Sequence, residues 1–192
     1  SPVKPAVLSI SYYIATIVSS LIICVIAYAV CIVYVATIGW YMSVADALLL
    51  LLDTVILVLF GTALSSIINY FLSSQGQISA VGTIVSSGYG FICGAYMPIS
   101  SFNEGLRTVI SFLPGTYGTS LMRNHAMGGA LDELIGQGLS PEIINEIKNS
   151  LDCNVYFFGN KVEIPIMYAI LVGTVALLIG IYILMNLPKK SK

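Results

Sequence analysis

Charged side chains are scarce in this chain. Asp, Glu, Lys and Arg together make up 9% of its 192 residues, whereas soluble domains contain roughly 25%. Hydrophobic residues make up 57%, and the mean hydropathy is +0.94. Because a soluble fold has no interior large enough to hide that much apolar surface, the composition excludes an ordinary soluble domain and indicates a membrane protein.

The motifs of several enzyme classes are also absent. The sequence has no GxxxxGK[ST] loop that could hold the phosphates of ATP, and neither HExxH nor GxSxG, so a membrane-embedded hydrolase is disfavoured and no catalytic residue is expected. His125 is the one histidine and the four cysteines form no cluster, so no metal site is expected. We interpret His125 as an interfacial polar residue. Cys153 has no loop partner, which leaves pairing between chains open.

Long apolar stretches are what the sequence has instead. Residues 6–38, 47–72, 78–97 and 164–187 are free of charge, except for Asp53 in the second stretch. A bilayer core about 30 Å thick needs roughly 20 helical residues to cross it. Lipid offers no partner for backbone N–H and C=O groups, so continuously apolar segments of this length must be helices. The sequence predicts an all-α, polytopic integral membrane protein with four transmembrane helices in one transmembrane domain, 1–192.

The distribution of lysine predicts the orientation. Lys4 precedes the first stretch, and Lys189, Lys190 and Lys192 follow the last one. The protein is expected in the plasma membrane. Because positive charge is enriched on the cytoplasmic side of a membrane, both termini of this chain are expected in the cytoplasm. The opening SPVKP has no initiator Met, and we interpret the chain as a piece of a longer protein.

The passage that follows the third stretch has the pattern of a re-entrant helical hairpin. Pro98 ends the third helix, 102–113 can form a short amphipathic helix, and 116–127 can form another. Pro114 and Gly115 separate the two, because proline cannot donate the next helical hydrogen bond and glycine permits a reversal. Residues 98–163 are therefore expected to form outer re-entrant helices and a loop.

The outer loop has signals of its own. Met127-Gly128-Gly129 is interpreted as a break in helical structure, and Gly159-Asn160 as a turn before the last span. Ser140-Pro141-Glu142 combines a capping hydroxyl, a proline at the first helical position and an acid in the first turn. We expect a short amphipathic helix to begin there.

Two sets of residues in the third stretch have competing interpretations. Gly88, Gly90 and Gly94 allow a neighbouring helix to approach closely, which is the usual use of small residues at this spacing. Alternatively, the missing side chains widen a substrate path, and the candidate hydroxyls to line it are those of Thr83, Ser86, Ser87, Tyr89 and Tyr96. Thr83 and Ser87 share one helical face, whereas Ser86 and Tyr89 lie on another.

Asp53 is the one charge placed well inside an apolar stretch. An intramembrane carboxylate costs roughly 2.5 to 3.5 kcal/mol on insertion scales, so it needs water, a proton or a partner. Arg107 and Arg123 of the predicted hairpin are its candidate partners. A structural ion pair is one interpretation, and a role in substrate or proton handling is the other.

The sequence resembles the permease subunits of type-2 ATP-binding-cassette (ABC) transporters. The matching positions are Gly88, Gly90, Gly94, Pro98, Leu106, Leu113, Pro114, Tyr117 and Arg123. The resemblance covers the chain as spans three to six of that family. The family's first two spans are missing, and the 126–162 insert is longer than its usual connection.

The resemblance implies one half of an exporter. Its partners would be an ATP-binding ABC subunit, which binds ATP with magnesium, and a second permease copy as a homo- or heterodimer within the lipid membrane; no nucleic-acid partner is expected. Lys4, Gln75 and Gln77 are the candidate ATPase contacts. The implied re-entrant gate consists of Pro98, Arg107, Pro114, Gly115, Tyr117 and Arg123. The cargo would be an amphipathic drug, peptide, lipid or glycan. The alternative function is a membrane scaffold or sensor whose outer loop binds a ligand.

Overall fold

The computed structural model describes residues 5–186 and is mainly helical, as the long apolar stretches predict. The long elements are α1 (Pro5–Ile38), α2 (Val44–Tyr70), α3 (Gln75–Ile92), α5 (Pro114–Gly136) and α7 (Ile164–Asn186). The short elements are a 3-10 turn (Ile99–Ser101), α4 (Glu104–Ile110), α6 (Pro141–Ser150) and a two-stranded hairpin of β1 (Tyr156–Phe157) and β2 (Asn160–Lys161).

Three of these helices are long and apolar enough to cross a membrane: Ile10–Ile38, Val44–Tyr70 and Ile164–Asn186. The predicted third span, 78–97, corresponds to α3, which falls outside this set because two glutamines and four glycines lower its hydropathy. Helix α3 also ends at Ile92, since Gly94 adopts a left-handed conformation with φ +81°. Three membrane-spanning helices are therefore supported, and the fourth crossing stays a prediction.

Serine caps define where two of the helices begin. The Ser43 hydroxyl accepts a hydrogen bond from the Asp46 N–H, and the Asp46 side chain accepts one from the Ser43 N–H in return. Ser74 and Gln77 form the same reciprocal pair at the start of α3. Each pair satisfies backbone donors that a helix start otherwise leaves free. The turns before α2 and α3 are thus encoded locally.

Helix α2 is the centre of the bundle, and α1, α5 and α7 pack against it. Asp53 of α2 contacts Tyr168 of α7. Nearer the ends of the same two helices, the Tyr70 hydroxyl donates to the Met185 carbonyl oxygen over 3.1 Å. Because the paired residue numbers rise together, α2 and α7 run parallel. The shared core contains Ile56, Phe60, Tyr117, Leu121, Val155, Val162, Met167, Leu171 and Val175.

Helix α5 runs antiparallel to α2 and corrects the prediction of a break at Met127-Gly128-Gly129. The helix continues through this triplet to Gly136. Gly129 lies against the α1–α2 turn so closely that a Cβ there would overlap the Tyr41 carbonyl oxygen, and a Cβ at Gly128 would lie 3.5 Å from Asp46 Oδ1. Gly129 therefore serves a close approach between segments and not a change of direction, whereas the space at Gly128 would admit a Cβ.

The predicted helix start at Ser140 and the turn at Gly159 are confirmed. Helix α6 begins at Pro141, and the Ser140 hydroxyl accepts a hydrogen bond from the Ile143 N–H over 3.4 Å. Phe158 and Gly159 have φ values of 48° and 80°, which reverse the chain between β1 and β2. Proline and serine at a helix start, and glycine in a tight turn, act locally, which is why these elements were predictable.

The contact at Gly129 yields the first prediction. Gly129→Ala should destabilise the protein by about 1–3 kcal/mol, because the new methyl group overpacks the α1–α2 turn. The matched control is Gly136→Ala, where nothing lies within 4 Å of the added Cβ. Thermal unfolding and the emission of Trp40, which adjoins the contacted turn, provide the measurement. Equal unfolding temperatures and unchanged emission in both variants would contradict the close approach.

Candidate functional site

A buried polar cluster joins α2, α5 and α7. Asp53 is completely buried, and its Oδ2 lies 2.6 Å from His125 Nδ1. The Tyr168 hydroxyl donates to Asp53 Oδ1 over 2.5 Å, and the Tyr168 ring stacks near the His125 ring. One carboxylate thus holds a side chain from each of two other helices, which satisfies an acid that the apolar interior would otherwise disfavour.

This cluster corrects two interpretations of the sequence. Asp53 pairs with His125 and Tyr168, and neither Arg107 nor Arg123 reaches it. His125 was interpreted as an interfacial residue, but it is buried in the bundle. A signal was present in the sequence, because Gly118, Leu121 and His125 recur at helical spacing and form one buried face once the helix extends past Gly129.

Arg123 has a different partner, Asp152. Arg123 Nη1 lies 3.0 Å from Asp152 Oδ2, and its other terminal nitrogen donates to the Gly94 carbonyl oxygen. The Asp152 carboxylate also accepts from the backbone N–H groups of Ile99, at 2.6 Å, and Ser100, at 3.1 Å. These bonds connect the end of α3, the 3-10 turn, α5 and the end of α6. We call these residues the Asp152 knot.

The other predicted gate residues surround the turn between α4 and α5. Tyr117 is buried and donates to the Ser111 carbonyl oxygen over 2.6 Å. Arg107 donates to the carbonyl oxygens of Phe102, at 2.7 Å, and Ser100. Pro98 precedes the 3-10 turn, and Pro114 occupies the first turn of α5.

Gly115 has a role other than the predicted one. Helix α5 begins at Pro114, so Gly115 is helical and lies within α5. A Cβ at Gly115 would lie 2.6 Å from the Tyr89 ring and 2.9 Å from Cys93 Sγ, and the Gly115 N–H donates to the Tyr89 hydroxyl over 3.2 Å. Glycine here permits α3 to contact the start of α5.

An apolar cavity of about 330 Å³ lies between α2, α3 and α5. Its lining includes Phe60, Leu64 and Ile68 of α2, Gly82, Val85, Ser86 and Tyr89 of α3, and Gly115 and Thr119 of α5. Of the predicted path residues, Thr83, Ser87 and Tyr96 are exposed outside this lining, and Asp53 lies in the polar cluster. The α3 face that reaches the cavity is the one with Ser86 and Tyr89.

The three predicted packing glycines have different surroundings. A Cβ at Gly88 would meet nothing within 4 Å, one at Gly90 would overlap the Tyr96 ring, and Gly94 lies against Ile99 in its left-handed conformation. Within the part of the chain that the structure describes, no other helix crosses at Gly88. Of the candidate ATPase contacts, Gln75 and Gln77 are exposed at the start of α3, and Lys4 lies outside the described residues.

Cys153 is buried at the end of α6 and is a poor candidate for pairing between chains. It is 1% exposed. Burial raises the pKa of its thiol above the ordinary value, although the positive charges of Arg123 and Lys148 act in the opposite direction. A thiolate is the reactive form of cysteine, so a buried thiol with a raised pKa reacts slowly.

The three long apolar helices define a multi-pass α-helical membrane protein. The chain belongs to the ABC-2 type transporter family, whose model matches residues 1–126. It is thus a membrane component of an ABC transporter, a class that generally works with an ATP-binding subunit and is itself generally non-catalytic. Comparison with curated proteins and comparison with solved structures each found no match.

The polar cluster yields the second prediction. Tyr168→Phe should destabilise the protein by about 1–3 kcal/mol, because it removes a donor from a buried carboxylate. The matched control is Tyr70→Phe, which removes an exposed hydroxyl bonded to the Met185 carbonyl oxygen. Thermal unfolding of both variants in one detergent measures the difference. A loss in Tyr70→Phe as large as that in Tyr168→Phe would show that the cluster does not stabilise the bundle.

Proposed function

We propose that this chain is the membrane-spanning half of an ATP-driven exporter that moves an amphipathic molecule, such as a drug, a peptide, a lipid or a glycan. The observation that carries the proposal is the apolar cavity between α2, α3 and α5. It has the size of a small-molecule site, which begins at about 300 Å³. Its few polar groups, including Ser86 and the Tyr89 hydroxyl, suit a ligand that is apolar over most of its surface.

The surface of α3 supports pairing with a second permease copy. None of the 18 residues of α3 is fully buried, and Ile84 and Phe91 are 72% and 53% exposed. Helix α3 also forms one wall of the cavity. A second copy, identical or related, that packs on α3 would cover these side chains and turn the cavity into part of an enclosed path. The glycine positions with open space, such as Gly88, would then permit close approach.

The depth of α5 supports the proposed gate. Gly118 of α5 packs against Leu57, in the middle of α2, whereas Gly129 packs against Tyr41, in the turn that precedes α2. The first turn of α5 therefore lies alongside the middle of α2. We propose that α4 and the first half of α5 form the re-entrant hairpin and that the Asp152 knot holds it closed toward the outside.

The energy source would be a separate ATPase. The chain has no phosphate-binding loop, so ATP and magnesium would be bound by the partner subunit or domain. The turn between α2 and α3, with Gln75 and Gln77 beside it, would face that partner in the cytoplasm. Lys4 would lie at the same membrane surface.

Filling the cavity tests the proposed path. Gly82→Leu should slow ATP-dependent efflux of a lipophilic fluorescent dye about tenfold, in cells that express this chain with its ATPase, because the side chain enters the apolar cavity. A decrease of that size corresponds to about 1.4 kcal/mol. Nothing lies within 4 Å of a Cβ at Gly82 or at Gly173, and Gly173 does not line the cavity. Gly173→Leu is therefore the matched control.

Efflux by Gly82→Leu at the parental rate, with equal amounts of protein in the membrane, would argue against this path. If neither the parent nor the control moved any dye with an active ATPase, the scaffold or sensor interpretation would gain support. An increase in the ATP hydrolysis rate of the partner ATPase when this chain is added without dye would argue for the transporter interpretation, because a scaffold does not couple to ATP hydrolysis.

The proposed orientation has its own test. A cysteine introduced at Ser191 should react with a membrane-impermeant thiol reagent only after cells are permeabilised, whereas one at Gly136 should react in intact cells. The parent chain, with its four native cysteines, provides the background. The opposite pattern of labelling would show that the orientation is the reverse of the proposed one and that the outer loop lies in the cytoplasm.

A further inference from the structure

A second cavity lies between the α4–α5 turn and the end of α6. Its volume is about 330 Å³, and it shares no lining residue with the apolar cavity. Most of its lining side chains are polar, and the apolar ones are Ile99, Ile110 and Val155. A cavity of this size with convergent polar groups has the general features of a site for a small ligand.

The charged side chains at this cavity already have partners within the protein. Arg107 and Asp152 are the charged residues in its lining. Asp152 is already neutralised by Arg123 and accepts two backbone N–H bonds, whereas Arg107 donates to two backbone carbonyl oxygens. The lining therefore has one positive and one negative side chain. Because both side chains are already hydrogen-bonded within the protein, neither needs a charged ligand as its partner.

The polar groups provide donors and acceptors side by side. Asn149 Oδ1 accepts from Asn154 Nδ2 at 2.7 Å and from the Tyr156 hydroxyl at 3.0 Å. These bonds fix the Asn149 amide so that its NH₂ group remains available for a ligand. Ser100 and Ser150 also line the cavity. The Ser100 hydroxyl can donate and accept, whereas the Ser150 hydroxyl donates to the Ile147 carbonyl oxygen and can accept from a ligand.

We propose that this cavity binds a neutral, hydroxyl-rich ligand of the saccharide class. Each sugar hydroxyl both donates and accepts a hydrogen bond, which matches the mixed lining, and the C–H groups of a sugar ring would contact Ile99. The proposal is independent of the export function, since the site can be occupied whether or not its ligand is transported.

Direct binding tests the site. The probes are methyl glucoside and N-acetylglucosamine, and their binding to the full chain is measured by calorimetry in phosphatidylcholine nanodiscs. Glycoside detergents must be absent, because their head groups would compete. Saturable binding of either sugar is expected, and Asn149→Ala should weaken it about tenfold by removing a ligand donor.

Asn145→Ala is the matched control. Asn145 Oδ1 also accepts from Asn154 Nδ2, at 3.1 Å, but Asn145 does not line the cavity. It should keep the parental affinity within about twofold. Should Asn149→Ala fail to fold, Ser150→Ala replaces it, because Ser150 lines the cavity and its hydroxyl bonds only within α6.

Three results would overturn the proposal. The first is the absence of saturable binding of either sugar to the folded parent. The second is an equal loss of affinity in the cavity variant and in Asn145→Ala, which would indicate a structural effect on Asn154. The third is binding of inorganic phosphate in place of the sugars, which would make the cavity an anion site centred on Arg107.

Discussion

The rest of the structure depends on the hydrogen bonds that the Asp53 carboxylate makes to two other helices. In a bilayer the lipid is as apolar as the helix surfaces, so helices associate through close packing and through polar contacts. Asp53 provides the polar contact for three helices at once, by bonding to His125 of α5 and Tyr168 of α7. Next to it, a Cβ at Gly118 would overlap the Leu57 side chain, so glycine permits the close packing there. Together these contacts fix the position of α5.

Helix α5 in turn lines both cavities, so its position determines their shape. Gly115 and Thr119 face the apolar cavity, and Thr116 faces the polar one. Farther along the helix, Arg123 joins the Asp152 knot, which reaches the end of α3 and the end of α6. A displacement of α5 would therefore change the shape of both cavities together. This shared wall gives a physical route by which events at one site can reach the other.

The sequence predicts the elements that depend on local signals, and it misses those that depend on distant neighbours. The apolar lengths of α1, α2 and α7, and the serine and proline at the start of α6, act on their own segments. The pair Gly128-Gly129 is ambiguous in the sequence, because glycine occurs both at helix breaks and at close contacts between segments. The close contact of Gly129 with the Tyr41 backbone shows that the second use applies. The sequence likewise indicates that Asp53 needs a partner. It does not show that Arg123 is already engaged by Asp152.

The spacing of the polar cluster along the chain has a consequence for biogenesis. His125 and Tyr168 lie 72 and 115 residues after Asp53. Helix α2 therefore leaves the ribosome well before either partner has been synthesised, and it must enter the bilayer with its acid unpaired. The membrane-inserted intermediate stays incomplete until α7, the last of the described helices, arrives. A chain truncated before α7 would expose a polar defect in lipid, which is the kind of signal that membrane quality control removes.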